Sequence, residues 1–265
     1  MKKILFSAMI LGLSLSVHAQ DAADKKVQAG LVLGAGMNFQ KMGTKNFQSN
    51  GVGGDFTIGA TVNFTLRENI GFTTGVEFDF SSMKYKSSSI DGNIYYQYND
   101  SEILRKKDAT ADNPVFLLSE RRQNVTYLSI PTMMLFRTNY IGYFRYFGKF
   151  GLRNSFVLQS KTADKGVDFS SGMPVEASNN NMKRKSEMLF YKGAVGLVGG
   201  AEWNFTGSTC LVAEIGYYYG FTPLFYSTKD DRSHLYIIEN STSTVKYISN
   251  AATQSQLMLK ISVLF

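Results

Sequence analysis

The sequence predicts an all-β fold, a closed barrel of eight antiparallel strands crossing a membrane, on three observations. Apolar and polar residues alternate with a period of two along segment after segment, the mark of a strand whose faces meet different surroundings. Connections between those segments alternate between short and long. After residue 19, polar residues or glycine interrupt every apolar stretch well before the about 20 consecutive apolar residues of a spanning helix.

At the amino terminus, Lys2 and Lys3 precede an apolar run from Ile4 to Val17, followed by Val17-His18-Ala19 and Gln20. The run is too short for a spanning helix, and small residues at Val17 and Ala19 suit cleavage before Gln20, so residues 1–19 read as a secretory signal peptide. Residues 20–265 are then one outer-membrane β-barrel domain of a Gram-negative envelope, with no linker or change of pattern inside it.

The first strand falls near 27–39. The second is the clearest: Val52, Gly54, Phe56, Ile58, Ala60, Val62, Phe64 and Leu66 form one face, and Gly53, Asp55, Thr57, Gly59, Thr61, Asn63 and Thr65 the other. After the tight connection Arg67-Glu68-Asn69 the alternation resumes, with Ile70, Phe72, Val76, Phe78 and Phe80 opposite Gly71, Thr73, Gly75, Glu77 and Asp79. Further strands are expected near 125–137, 143–158, 188–205, 209–222 and 254–265, which makes eight. Connections are short near 67–69, 138–142 and 206–208, and long near 40–51, 82–124, 159–187 and 223–253. Short periplasmic turns and long extracellular loops are the habit of outer-membrane barrels. In the longest loop, Tyr85, Ile94, Tyr95, Tyr96 and Tyr98 are too apolar for a solvated coil, so strands three and four should continue past the membrane as a hairpin with its charged tip near Arg105, Lys106 and Lys107.

A soluble sandwich or lipocalin-like barrel would also alternate, so the direction of the apolar face decides. Several segments run 12 to 18 residues, against about 5 to 6 for a soluble strand. Their less apolar face carries glycine, threonine and charge where a soluble barrel would place large apolar residues. Apolar-face aromatics gather at both strand ends, Phe64, Phe136, Phe144, Trp203 and Phe205 near the short turns and Phe39, Phe80, Phe156, Tyr219 and Phe221 near the long loops. Two such girdles mark two membrane interfaces.

Charged residues on the polar face fall inside the barrel: Asp55, Glu77, Asp79, Glu202 and Glu214 against Arg137, Arg145, Lys149, Arg153, Lys192 and Lys260. An eight-stranded barrel is only wide enough for side chains to fill it, so these charges should form a paired lumen network. Counting residues from the short turns sets Glu214 level with Lys260, and Glu77 and Asp79 level with Lys149 and Arg153.

Other chemistry is sparse. Cys210 is the only cysteine, which excludes an intramolecular disulfide and a CxxC site. The net charge of +7, or +5 without Lys2 and Lys3, is interleaved with acids and does not point to nucleic acid. His234, the only histidine of the mature chain, lies near Asp230, Asp231 and Ser233 without a nucleophile elbow or metal-ligand spacing, so no catalytic, cofactor or metal site is expected. Gly34-Ala35-Gly36 and Gly51-Val52-Gly53-Gly54 are not followed by a helix and do not cradle phosphate.

Leu257, Leu259, Ile261, Val263 and Phe265 alternate with more polar neighbours up to the last residue, which resembles the terminal signal read by the barrel-assembly machinery. The stretch from Thr126 to Leu135, with Tyr127-Leu128-Ser129-Ile130-Pro131 at its centre, resembles the Tyr-Leu-x-Ile-Pro segment of the PorT-like family of outer-membrane barrels, with Ser129 at the family's usual glutamate position. The resemblance implies a barrel without assigned activity, some members serving protein secretion across the outer membrane. Expected partners are outer-membrane lipid and lipopolysaccharide, periplasmic chaperones and assembly machinery during insertion, and an envelope protein of unknown identity. Two roles remain open: a non-enzymatic structural element that binds through its loops, as an accessory of secretion or envelope assembly, and a narrow passive channel for small or apolar solutes.

Overall fold

The computed structural model describes residues 26–88, 92–105, 107–183, 187–206, 209–226, 232–238 and 244–265. The expected signal peptide, Lys106, Asp230 and Asp231 lie outside the described residues. Eight long strands carry the fold: β1 (Val27–Met42), β3 (Gly53–Arg67), β4 (Ile70–Ser87), β7 (Val115–Arg137), β8 (Phe144–Asp168), β10 (Tyr191–Thr206), β11 (Thr209–Gly220) and β14 (Ala252–Leu264). Shorter ones lie between them: β2 (Phe47–Ser49), β5 (Ile94–Asn99), β6 (Glu102–Ile103), β9 (Val175–Lys183), β12 (Leu235–Ile238) and β13 (Val245–Ile248).

All long strands pair antiparallel, β1 with β3, then β4, β7, β8, β10, β11 and β14 in turn, and β14 pairs with β1 from Gly30↔Leu264 to Met42↔Ala252. The result is an all-β barrel in which the period-two pattern sorts side chains. Along β3, Asp55, Thr57, Thr61 and Asn63 are buried while Phe56, Ile58 and Phe64 are exposed. The outward surface is apolar, from Leu31 and Leu33 on β1 to Leu259, Ile261 and Val263 on β14. Outward aromatics stack across strands, Phe144 on Trp203 at 6.1 Å near the short turns and Phe56 on Phe80 at 6.3 Å at the other end.

Short turns need little sequence. Between β7 and β8 the chain reverses through Gly142 at φ 65°, a left-handed conformation that glycine adopts without strain. Pro131 sits where the β4–β7 ladder lapses between Thr74↔Thr132 and Glu77↔Ser129, a gap suited to a residue without an N–H.

Beyond the aromatic rim of the long-loop side, the segments read as loops are largely strand. β7 and β8, 23 and 25 residues long, outrun their neighbours. Their far halves pair with β5 and β9, β6 bridges β5 to β9, and the β12–β13 hairpin pairs with β5. The reason is the apolar content of these segments: Phe47, Tyr85, Ile94, Tyr96, Ile103, Phe116, Leu118, Met182, Leu235, Ile237 and Ile248 form a buried cluster of their own. Strands β4 and β7 do continue together, to Lys86↔Glu120, but β5 then replaces β4 at Ile94↔Leu118. The reversal after β5 falls at Asp100, φ 49°, rather than at 105–107.

Candidate functional site

Ten charged residues of the inward face, Asp55, Glu77, Asp79, Arg145, Lys149, Arg153, Lys192, Glu202, Glu214 and Lys260, come from six different strands and are all buried in the lumen, with Arg137 of β7 beside them. They form layers at successive heights. Nearest the short turns, Glu202 takes Arg145 on Oε2, with Nε at 2.7 Å, and Arg137 on Oε1 at 3.1 Å. Arg145 also lies 4.6 Å over the ring of Tyr140. In the next layer Lys149 pairs with Glu214.

The middle layer is the densest. Lys260 donates to both oxygens of Glu77 at 2.8 Å, and Arg153 reaches Glu77 at 2.5 Å. The same guanidinium donates to both oxygens of Asp79 at 2.7 and 2.8 Å. Asp79 further accepts from Thr57 at 2.6 Å and from Ser129. Ser129 therefore gives a neutral hydroxyl donor where a glutamate would add a third carboxylate beside Glu77 and Asp79. A fourth layer, toward the long loops, joins opposite charges through an amide: Lys192 donates to Gln254 at 3.0 Å and Gln256 at 3.2 Å, and Gln256 donates to Asp55 at 2.8 Å.

Depth counting set Glu214 beside Lys260 and Arg153 near Asp79, but it did not give every partner. Glu214 and Lys260 are register partners on adjacent strands, yet the lysine crosses the lumen to Glu77 and Glu214 turns to Lys149. Neighbouring side chains on one sheet face point inward side by side, so a long stem finds a partner on the facing wall more easily than beside it. Lys149, close to the level of Glu77 in the residue count, meets neither Glu77 nor Asp79, which Arg153 occupies.

Sequence reasoning also missed the apolar content of the lumen. Leu135, Phe147, Cys210, Val212 and Leu264 cluster toward the short turns, Met133, Val198, Tyr218 and Met258 in the middle, and Met83, Tyr127, Met188, Leu224 and Phe225 toward the long loops. The members that lie on strands share the inward phase with the charges, so the alternation alone could have found them, whereas Met188, Leu224 and Phe225 lie between strands and follow no such period. A further pair escaped notice: Arg121 on β7 grips Asp164 on β8 with two bonds of 2.6 Å, buried beneath the ring of Tyr96. Burial and the nearby Asp164 carboxylate push the Tyr96 hydroxyl well above the ordinary tyrosine range.

Of the cluster around His234, the structure describes His234 and Ser233. His234 is buried with Nδ1 3.6 Å from Glu187, and Ser233 donates to the Ile248 carbonyl at 2.6 Å. No group of three or more metal-ligating side chains occurs among the described residues.

A barrel with an apolar outer surface, aromatic rims and a charged interior defines a bacterial outer-membrane protein. A family model described as outer membrane protein beta-barrel domain matches residues 18–226, and the chain belongs to that family. No curated protein sequence matches the chain. Among solved structures, Ail of Yersinia pestis aligns over 91% of this chain and 100% of its own at 11% identity and a TM-score of 0.34. OprG of Pseudomonas aeruginosa aligns over 90% of this chain and 92% of its own at 11% identity and a TM-score of 0.40. The protease OmpT of Escherichia coli aligns over 94% and 99% at 9% identity and a TM-score of 0.37.

Proposed function

We propose that the eight long strands form a closed transmembrane barrel without enzymatic activity or a conducting pore, which anchors the strand-rich extension at the cell surface as a binding element. In this reading residues 1–19 are removed on export, the short turns face the periplasm and the extension faces outward. The lumen charge network is structural: it satisfies buried charges that would otherwise be costly and, with the apolar clusters, fills the interior. The observation that carries the reading is the middle layer, where Lys260, Glu77, Arg153 and Asp79 span the lumen from wall to wall. A water-filled selectivity ring would leave its charges facing solvent, whereas Arg153 and Asp79 have no exposed surface. The Tyr127–Pro131 segment supports a place in the PorT-like branch, and with it a role as an accessory of secretion or envelope assembly.

Planar-bilayer recording with the purified, heat-modifiable protein tests this reading. Baseline conductance is expected, and stable unitary openings would establish the narrow channel instead.

A further inference from the structure

Above the apolar belt the outward face of β4, β7, β8 and β9 changes character. From Ile70 to Phe80 the outward side of β4 is mostly apolar, and ten residues at about 3.4 Å each, tilted about 40°, climb roughly 26 Å, close to the height of an outer-membrane apolar band. The register then sets Phe80 beside Thr126 and Gln159, Ser82 beside Asn124 and Lys161, Lys84 beside Arg122 and Ala163, and Lys86 beside Glu120 and Lys165. On the same surface Lys161 is the register partner of Lys183.

Two like-charge pairs, Lys84 with Arg122 and Lys161 with Lys183, thus stand directly opposite each other across antiparallel ladders, an arrangement that costs stability. Among the described residues none of these four cations forms a salt bridge. Nor is the surface flat. A cleft of about 230 Å³ runs from Phe80 past Asn124 to Lys161, and a second of about 300 Å³ is lined by Lys84, Arg122, Lys165 and Asn180, with the carboxylates of Glu120 and of Asp164, which Arg121 holds, also in its wall.

We infer that this face holds the headgroup of a phosphorylated glycolipid of the outer leaflet, of the lipid A kind, with its acyl chains lying on the apolar belt below. The inference rests on the membrane orientation proposed above. Charge complementarity calls for an anion, and the two cationic pairs, at different heights, call for more than one phosphate. Continuity with Phe80 and Phe56 calls for an amphiphile rather than a free ion. Lys161 stands two residues above the Phe80 row and Lys84 four, about 7 and 14 Å along the strands, which spans the headgroup layer. The lipid phosphates would relieve the repulsion within each pair, so the folded protein and the bound lipid stabilise each other.

The test uses the whole mature protein, delipidated in detergent, with bisphosphorylated lipid A, its dephosphorylated counterpart and inorganic pyrophosphate as probes, and binding read by native mass spectrometry. Bisphosphorylated lipid A should bind at least tenfold more tightly than the dephosphorylated form. Lys84→Gln/Arg122→Gln and Lys161→Gln/Lys183→Gln should each remove most of that preference, while Lys41→Gln, at the rim on β1, should keep it. Equal binding of the two lipids, or unchanged preference in both double variants, overturns the inference while leaving the barrel reading intact. Displacement of the lipid by pyrophosphate at equal concentration would show a soluble-anion site and overturn it too. Loss of the heat-modifiable band in the unaltered protein would instead fail the barrel reading, and this inference with it.

Discussion

Arg153 is the residue whose loss the lumen should feel most. Its guanidinium serves two carboxylates, Asp79 through bonds of 2.7 and 2.8 Å and Glu77 at 2.5 Å, with no exposed surface. Arg153→Met leaves Glu77 with Lys260, but leaves Asp79 with only the hydroxyls of Thr57 and Ser129. Breaking a buried pair by removing one partner costs about 3 to 5 kcal/mol, and the upper end applies here because no cation replaces the arginine. Asp79→Asn leaves Arg153 still paired with Glu77, so about 3 kcal/mol or less is expected. The double variant leaves Lys260 with Glu77 and no stranded charge, and should lose less than about 2 kcal/mol. The single losses should therefore exceed the double loss by about 2 kcal/mol or more, well outside the roughly 0.5 kcal/mol within which independent sites add. Urea unfolding in phospholipid vesicles reads this, followed by Trp203, the only tryptophan, which sits on the outward face. If the two losses simply add, Asp79 and Arg153 are screened by lumen water and the packed-interior argument fails.

The redrawn pairing has its own cycle: Lys260→Met with Glu77→Gln should couple by about 1 kcal/mol or more, whereas Lys260→Met with Glu214→Gln should couple less, and the reverse order would restore the neighbouring-strand pair. Arg121→Met strands Asp164 in the extension; protease should then cut the extension on intact cells while the heat-modifiable barrel fragment survives, and Asp164→Asn in the same chain should restore resistance. Cys210, fully buried at the short-turn end, should resist maleimide in the folded protein and react once it unfolds, and rapid labelling of folded protein would refute the packed lower lumen. Burial pushes the Tyr236 hydroxyl up to about 12 from its ordinary 10.0. Its contribution to the β12–β13 hairpin is therefore whole below pH 10 and is lost as pH rises through about 12, and Tyr236→Phe should shrink the late phase of the tyrosinate titration by one tyrosine.

Local rules made the barrel legible. Alternation is set by backbone geometry, so Phe56, Ile58 and Phe64 on one side and Asp55, Thr57 and Asn63 on the other could be sorted by counting. The same count, run to the strand ends, gave the levels of Glu214 and Lys260, which are indeed register partners. Which charge each would choose could not be counted. That choice depends on which walls face each other across the lumen and on how far each stem reaches, as Lys260 shows by bypassing its register neighbour for Glu77. The extension was legible as a surplus of apolar residues from Tyr85 on and as a continuation of strands three and four, which pair as far as Lys86↔Glu120. Its strands are short and pair over long range, β6 with β9 and β12 with β5, so their partners are fixed by closing one apolar cluster rather than by any pattern within a segment. The cationic pairs on the outward face belong to the same class, since Lys84 and Arg122 become neighbours only through the register of β4 on β7. The sequence by itself determined which residues face lipid and which face the interior, because that depends on a strand's own period; the tertiary structure decided who meets whom, because contacts between strands depend on register and on the space left to fill.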